Sequence, residues 1–163
     1  MANRFLLDTN CFIESAHRWH PFAVFPGFWD GLLEQNQAGH LFTIDMVVKE
    51  ILDSEIEGWL KQNPSFILPP EQKVLEVYAS LVNWVQNHRN FDMTEKNDFH
   101  KKADGWLVAY ASAYQMTVVS QEERAKAGSH QIKIPNLCEQ MGVGCINFPK
   151  LIKQLTFKLV LEE

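Results

Sequence analysis

Residues 4–10 read Arg4-Phe5-Leu6-Leu7-Asp8-Thr9-Asn10. The apolar run is short, and a carboxylate ends it. That pattern predicts a brief buried strand with an acid at its carboxyl end, followed by a helix through Ala16 capped by Thr9 or Asn10. Working outward, the same alternation recurs. Leu41-Phe42-Thr43-Ile44 is strand-like and Asp45 is placed to cap the next helix, which carries Val47, Val48, Ile51 and Leu52 on one face and continues or restarts through Leu60. Met116-Thr117-Val118-Val119 is a β-branched buried strand, Gln131-Ile132-Lys133-Ile134 is read as another, and Val143-Gly144-Cys145-Ile146 as the last.

Between the strands lie helical patterns. Phe22 to Gln37 spaces Phe25, Phe28, Trp29, Leu32 and Leu33 helically and stops at Gly39. Phe66-Ile67-Leu68, fenced by Pro64 and Pro69-Pro70, is a weak strand or extended segment. Glu71 to His88 carries an apolar stripe from Val74 to Val85, a polar loop spans Asn90 to His100, and Ala103, Trp106, Leu107, Tyr110, Ala111 and Tyr114 follow helical spacing. Pro135 opens a short helix, and Pro149 to Leu155 forms a terminal one. Alternating strands and helices with buried strands imply an α/β fold, a three-layer α/β/α sandwich on a mostly parallel sheet, as one domain over residues 1–163.

Composition sets bounds. The 163 residues are 46% hydrophobic and 21% charged, which suits one folded core rather than a disordered chain. No apolar run approaches the ~18–20 residues that cross a bilayer, and the first residues lack a signal-peptide core, so a cytoplasmic, non-membrane protein is expected. Cys11, Cys138 and Cys145 have no zinc-type spacing and read as free thiols. The net charge of −5 runs against a basic nucleic-acid-binding surface, although bound cations can supply positive charge locally.

In an open parallel sheet the functional crevice lies beyond the carboxyl ends of the strands. Asp8 falls there, as does Glu50 in a helix that follows a strand, and Asp104 opens a helix just upstream of the Val118-Val119 strand. Each has a plainer reading: Asp8 as a helix cap, Glu50 as a solvated helix acid, Asp104 as a partner of a helix dipole. Asp53 and Glu57 are assigned to the solvated role. Taken together, three converging carboxylates repel unless a cation is bound, and hard oxygen donors select Mg²⁺ or Mn²⁺. Such a site suits phosphodiester hydrolysis.

At this point the chain resembles the PIN-domain nucleases. Leu6-Leu7-Asp8-Thr9-Asn10 is similar to their first strand–acid motif, Val47-Val48-Lys49-Glu50-Ile51 to the helix of the second acid, and Ala103-Asp104-Gly105-Trp106-Leu107 to that of the third. Thr117-Val118-Val119-Ser120-Gln121-Glu122 stands where the family has a strand, a Ser or Thr and a further acid. Lys133-Ile134-Pro135-Asn136-Leu137-Cys138 resembles a bacterial subgroup of the family, and the likeness covers roughly residues 4–148.

The resemblance implies a metal-dependent ribonuclease, the toxin of a type II toxin–antitoxin pair restrained by a small antitoxin. Its metal ligands would be Asp8, Glu50, Asp104 and Glu122, with Ser120 positioning the site and Asn10 close by. The family often has Asp where this chain has Glu122, which opens the alternative of a degenerate domain that binds protein or RNA without cutting it. An aspartyl-nucleophile phosphotransferase is a poorer match, because Asn10 stands where such enzymes carry a second Asp. Lys101, Lys102, Arg124, Lys126 and Lys133 are placed to hold RNA phosphates or to be ordinary surface, with His100 and His130 as further binding contacts. Trp19 and Trp59 are read as base-stacking or, more simply, core residues, and the stretch from Trp19 to Trp29 as a candidate antitoxin or homodimer contact.

Overall fold

Phe5–Leu7 forms β1, flanked by β2 (Leu41–Ile44) and β4 (Thr117–Val119), with β3 (Ile67–Leu68) beyond β2 and β5 (Cys145–Ile146) beyond β4. The computed structural model describes residues 3–161. The strand order is β3-β2-β1-β4-β5 and every pairing among the described residues is parallel. Leu6 and Leu7 are fully buried, as a central strand covered by helices on both faces demands. This is the expected three-layer α/β/α architecture on a parallel sheet.

The helices are α1 (Thr9–Glu14), α2 (Pro26–Gln37), α3 (Asp45–Glu50), α4 (Ser54–Gln62), α5 (Gln72–Asn87), α6 (Met93–Asp98), α7 (Asp104–Tyr114), α8 (Ile134–Met141) and α9 (Phe148–Gln154). α7 is buried on nearly every side, including Leu107, Val108, Ala109 and Ala111, because it packs between the sheet and α5. Its start is tight. A Cβ on Gly105 would stand 2.5 Å from the Phe99 ring and 3.0 Å from Tyr78, so only hydrogen fits there. Tyr78 in turn stacks on Trp106 at 3.7 Å.

Four local expectations are corrected. Residues 131–134 form no strand. Ile132 and Ile134 are buried as the alternation required, but their N–H groups donate to the side chains of Glu95 and Glu122 instead of a ladder. The stretch Asn90 to His100 is not one loop: it holds α6 and a 3₁₀ turn at Phe99–Lys101, whose polar sequence hides the helix. Asp45 lies in the first turn of α3 rather than capping it, and Asp8, not Thr9 or Asn10, is the N-cap of α1. Trp19 and Trp59 take the simpler of their two readings, half-buried against the core in an aromatic cluster, Trp19 stacked on Phe148 at 6.1 Å and Trp59 edge-on to Trp29 at 5.2 Å. Of the Trp19–Trp29 stretch, Val24 and Phe25 are the large apolar side chains left exposed. No helix among the described residues is long and apolar enough to cross a membrane.

Candidate metal centre

The chain passes from one side of the sheet to the other between β1 and β4, and a crevice opens at such a reversal, outside the carboxyl ends of the strands. Asp8 follows β1 and Ser120 follows β4, one on each side of it. The ladder sets them side by side, with Asp8 N–H donating to Val119 O at 3.0 Å and Ser120 N–H to Ile146 O at 3.0 Å. β2 delivers α3 and with it Glu50, while the N-terminus of α7 delivers Asp104.

Two hydroxyls tie the acids together. Ser120 Oγ donates to Asp8 Oδ2 at 3.1 Å and accepts the Glu122 N–H at 3.1 Å. Thr9 Oγ1 donates to Glu50 Oε2 at 2.8 Å, while its N–H donates to Asp8 Oδ1 at 2.7 Å. Glu50 Oε1 also accepts the Ala103 N–H at 2.6 Å, which fixes the peptide just before Asp104. Glu122 Oε2 accepts the Ile134 N–H at 2.8 Å, and its other oxygen faces Lys133 Nζ at 3.8 Å. The structure therefore joins Asp8, Glu50, Ser120 and Glu122 in one hydrogen-bonded arc, with Asp104 beside it.

The electrostatics agree. Burial pushes the Asp8 carboxyl up to about 8, and the charge of Asp104 pushes the same way. Asp104 is pushed up to about 7, again first by burial and then by Glu122 and Glu50, with Lys102 and Lys133 opposing. Asp8 is 3% exposed and Glu50 and Asp104 are half-buried, so none of the three principal acids is an outer-surface group.

Do these residues suit a divalent cation? The donors are all oxygen, they are partly withdrawn from water, and they repel one another, which is the charge deficit a hard dication would relieve. As the side chains stand, however, no three His, Cys, Asp or Glu groups among the described residues are assembled to hold an ion. The hydrogen bonds show what occupies them: Glu50 and Glu122 each turn oxygens to protein donors, whereas Asp104 has no hydrogen-bond partner among the described residues. An all-oxygen donor set is of the kind that suits Mg²⁺ or Mn²⁺, and Asp8, Glu50 and Glu122, whose oxygens accept protein donors, would each have to share or exchange a partner to join it.

Other assignments divide. Lys102 and Lys133 act on the acids, while Lys101 pairs with Asp98 at 2.7 Å, Arg124 pairs with Glu139 at 2.7 Å, and Lys126 lies elsewhere. His130 contacts Asn90 O at 2.7 Å, and Asn10 is exposed with no hydrogen bond to the acids. Asp53 is not a merely solvated acid, since it caps α4 and pairs with His17 at 2.7 Å. Thr9, expected from the sequence as a helix cap, instead holds Glu50 through its hydroxyl and Asp8 through its N–H; a hydroxyl next to a strand-end acid is the signal that marks it.

A family description, "Domain of unknown function (DUF4411)", matches residues 5–159. No curated protein matches the chain. Among solved structures, FitAcB from Neisseria gonorrhoeae is 21% identical, covering 88% of this chain and 96% of its own, with a TM-score of 0.47. FitAB bound to an IR36 DNA fragment is 23% identical, covering 88% and 94%, also with a TM-score of 0.47.

Proposed function

We propose a function from one premise: the chain belongs to the DUF4411 family, whose description names no activity, so the chemistry must be read from its acids. The reading is a Mg²⁺- or Mn²⁺-dependent endoribonuclease of the PIN type. A single observation carries it. Asp8, Glu50 and Glu122 share one hydrogen-bonded arc beyond the carboxyl end of a parallel sheet, and Asp104 lies near enough that burial and these acids' charges raise the pKa of both its carboxyl and that of Asp8.

Asp8, Asp104, Glu50 and Glu122 would hold the ion, whose chemistry when bound is to lower the pKa of water and offset charge on a phosphate. The chain's own residues do the rest. Ser120 and Thr9 hold the Asp8 and Glu50 carboxylates in place, so each keeps its orientation without a partner from solvent. Lys102 and Lys133 bring positive charge to the rim, where a phosphodiester must approach an otherwise negative pocket. The four motifs and their order support a toxin of a type II toxin–antitoxin pair, with a small antitoxin as partner and a homodimer as a further assembly.

The second reading is a binding module that no longer cuts, favoured by the protein donors that occupy Glu50 and Glu122. One assay separates them. Purified protein should degrade single-stranded RNA with Mg²⁺ or Mn²⁺ but not with EDTA, and Asp104→Asn should abolish this. Binding without cleavage at any metal concentration selects the module. Induced expression should arrest growth and Asp8→Ala should relieve the arrest; harmless expression of soluble wild type would remove the toxin role.

A further inference from the structure

The proposed chemistry leaves unused a hollow on the far side of the loop that connects β4 to α8. Its volume is about 260 Å³, and it is walled by Trp84, His88 and Phe91 on one side and by residues 125–129 of the loop on the other. Trp84, His88 and Asn90 also line an adjoining open groove of about 570 Å³ that reaches Arg89. None of the four acids lines either space.

The walls are aromatic and amide rather than aliphatic. His88 stacks on Phe91 at 4.0 Å, and Trp84 stands edge-on to His88 at 4.9 Å. The Asn90 N–H donates to His88 Nδ1 at 3.3 Å, which in the neutral ring leaves the proton on Nε2. Gln131 and Gln140 add amides that have no hydrogen-bond partner among the described residues. Arg89 and Lys126 form no ion pair among those residues, and the wall acid Glu139 is neutralised by Arg124. Stacking rings, amides that both donate and accept, and nearby free cations are what an unpaired base and its phosphates require.

The hollow is preformed. Asn136 clamps Ala125 through both its amide atoms, at 2.8 and 3.2 Å, and Gly128 takes a left-handed turn with φ of 80°. His130 Nδ1 and Asn90 O, 2.7 Å apart, fasten the loop to the chain after α5. The same loop is fastened to the acids, since Glu122 begins it and accepts from Ile134 at its end. Only Glu123 and Arg124 separate Glu122 from Ala125, a span of at most about 11 Å, comparable to about three stacked nucleotides.

We propose that this hollow is a subsite for one unpaired nucleobase of a single-stranded RNA whose backbone crosses the β4–α8 loop to the acid cluster. The inference rests on the ribonuclease reading for its substrate. It explains how an acidic protein would choose single strands: a paired base cannot leave its stack to enter without the energy of unpairing. At about 260 Å³ the space falls below the roughly 300–1,000 Å³ of drug-sized sites, which suits one base.

The test is binding in EDTA, where cleavage is absent. A fluorescein-labelled, unstructured ten-nucleotide RNA should bind more tightly than a duplex of equal length. Trp84→Ala should weaken the single strand roughly tenfold or more, Trp84→Phe should retain most of the affinity, and the surface change Lys126→Glu should weaken it without affecting folding. A 4-thiouridine in the strand should photo-crosslink to the peptide containing residues 84–91. Equal affinity for strand and duplex, unchanged binding by Lys126→Glu together with a folded Trp84→Ala, or crosslinks confined elsewhere would overturn the subsite. RNA crosslinked here but never cut with Mg²⁺ or Mn²⁺ would sink the nuclease reading and leave the subsite standing. Cleavage with kcat/KM unchanged in these variants would do the reverse.

Discussion

Asp8 accepts hydrogen bonds from Thr9 N–H and Ser120 Oγ, and both favour its charged form, yet burial and the neighbouring acids still push it up to about 8. Asp104 reaches about 7 for the same reasons. Both values lie above the ordinary carboxylate near 4, so between about pH 4 and 8 the folded protein binds more protons than the unfolded chain. Stability then falls as pH rises across that window. The melting temperature of metal-free protein should drop from pH 5 to pH 8, and Mg²⁺ or Mn²⁺ should restore more of it at pH 8 than at pH 5; a flat profile measured calorimetrically would contradict the assignment. The Asp104 carboxylate accepts no hydrogen bond among the described residues, so Asp104→Asn removes only charge and at pH 8 should raise the metal-free melting temperature by about 2–4 °C, as ~1 kcal/mol does in a domain of this size. Thr9→Val keeps the shape but deletes the hydroxyl that holds Glu50. Titration calorimetry should show metal affinity reduced roughly tenfold for losing such a supporting group, with the circular dichroism spectrum unchanged.

α7 joins core and site, because its first residue is Asp104 and its second is the glycine pressed against Phe99. Gly105→Ala must move either the ring or the helix start, and overpacking of this kind costs about 1–3 kcal/mol. Thermal denaturation should report that loss, and metal affinity should fall with it because the displaced turn bears Asp104. The strands and long helices were legible in the sequence wherever a period was clean, as in Phe5-Leu6-Leu7, Thr117-Val118-Val119 and the stripe from Val74 to Val85. α6 was not, since Met93-Thr94-Glu95-Lys96-Asn97-Asp98 shows no apolar stripe and its buried member is a lysine whose Nζ donates to Gln86 O at 3.0 Å. The false strand at 131–134 had the right side-chain alternation and no strand to pair with, a difference that side-chain pattern alone does not encode. Site residues followed the same rule. Acids at strand ends could be chosen by position, whereas the arc through Thr9, the Ala103 N–H and the Ile134 N–H depends on residues 41, 53 and 12 positions apart and exists only after folding.

At the scale of the molecule, five parallel strands gather carboxylates at one end, and the β4–α8 loop separates that end from an aromatic and amide-lined hollow. A chain of net charge −5 has no bulk attraction for RNA, so on the proposed reading its affinity comes from these local features and should be only moderately sensitive to salt. Raising NaCl from 50 to 200 mM should weaken RNA binding far less than the ~10³-fold expected of a protein making six phosphate contacts; a loss that large would mean a basic surface this structure lacks. The most direct test of the account is anomalous diffraction from a crystal soaked in Mn²⁺. The expected result is a peak in direct contact with the carboxylate oxygens of both Asp8 and Asp104, absent from the Asp104→Asn crystal. A wild-type map with no peak between those two side chains at saturating Mn²⁺ would contradict it.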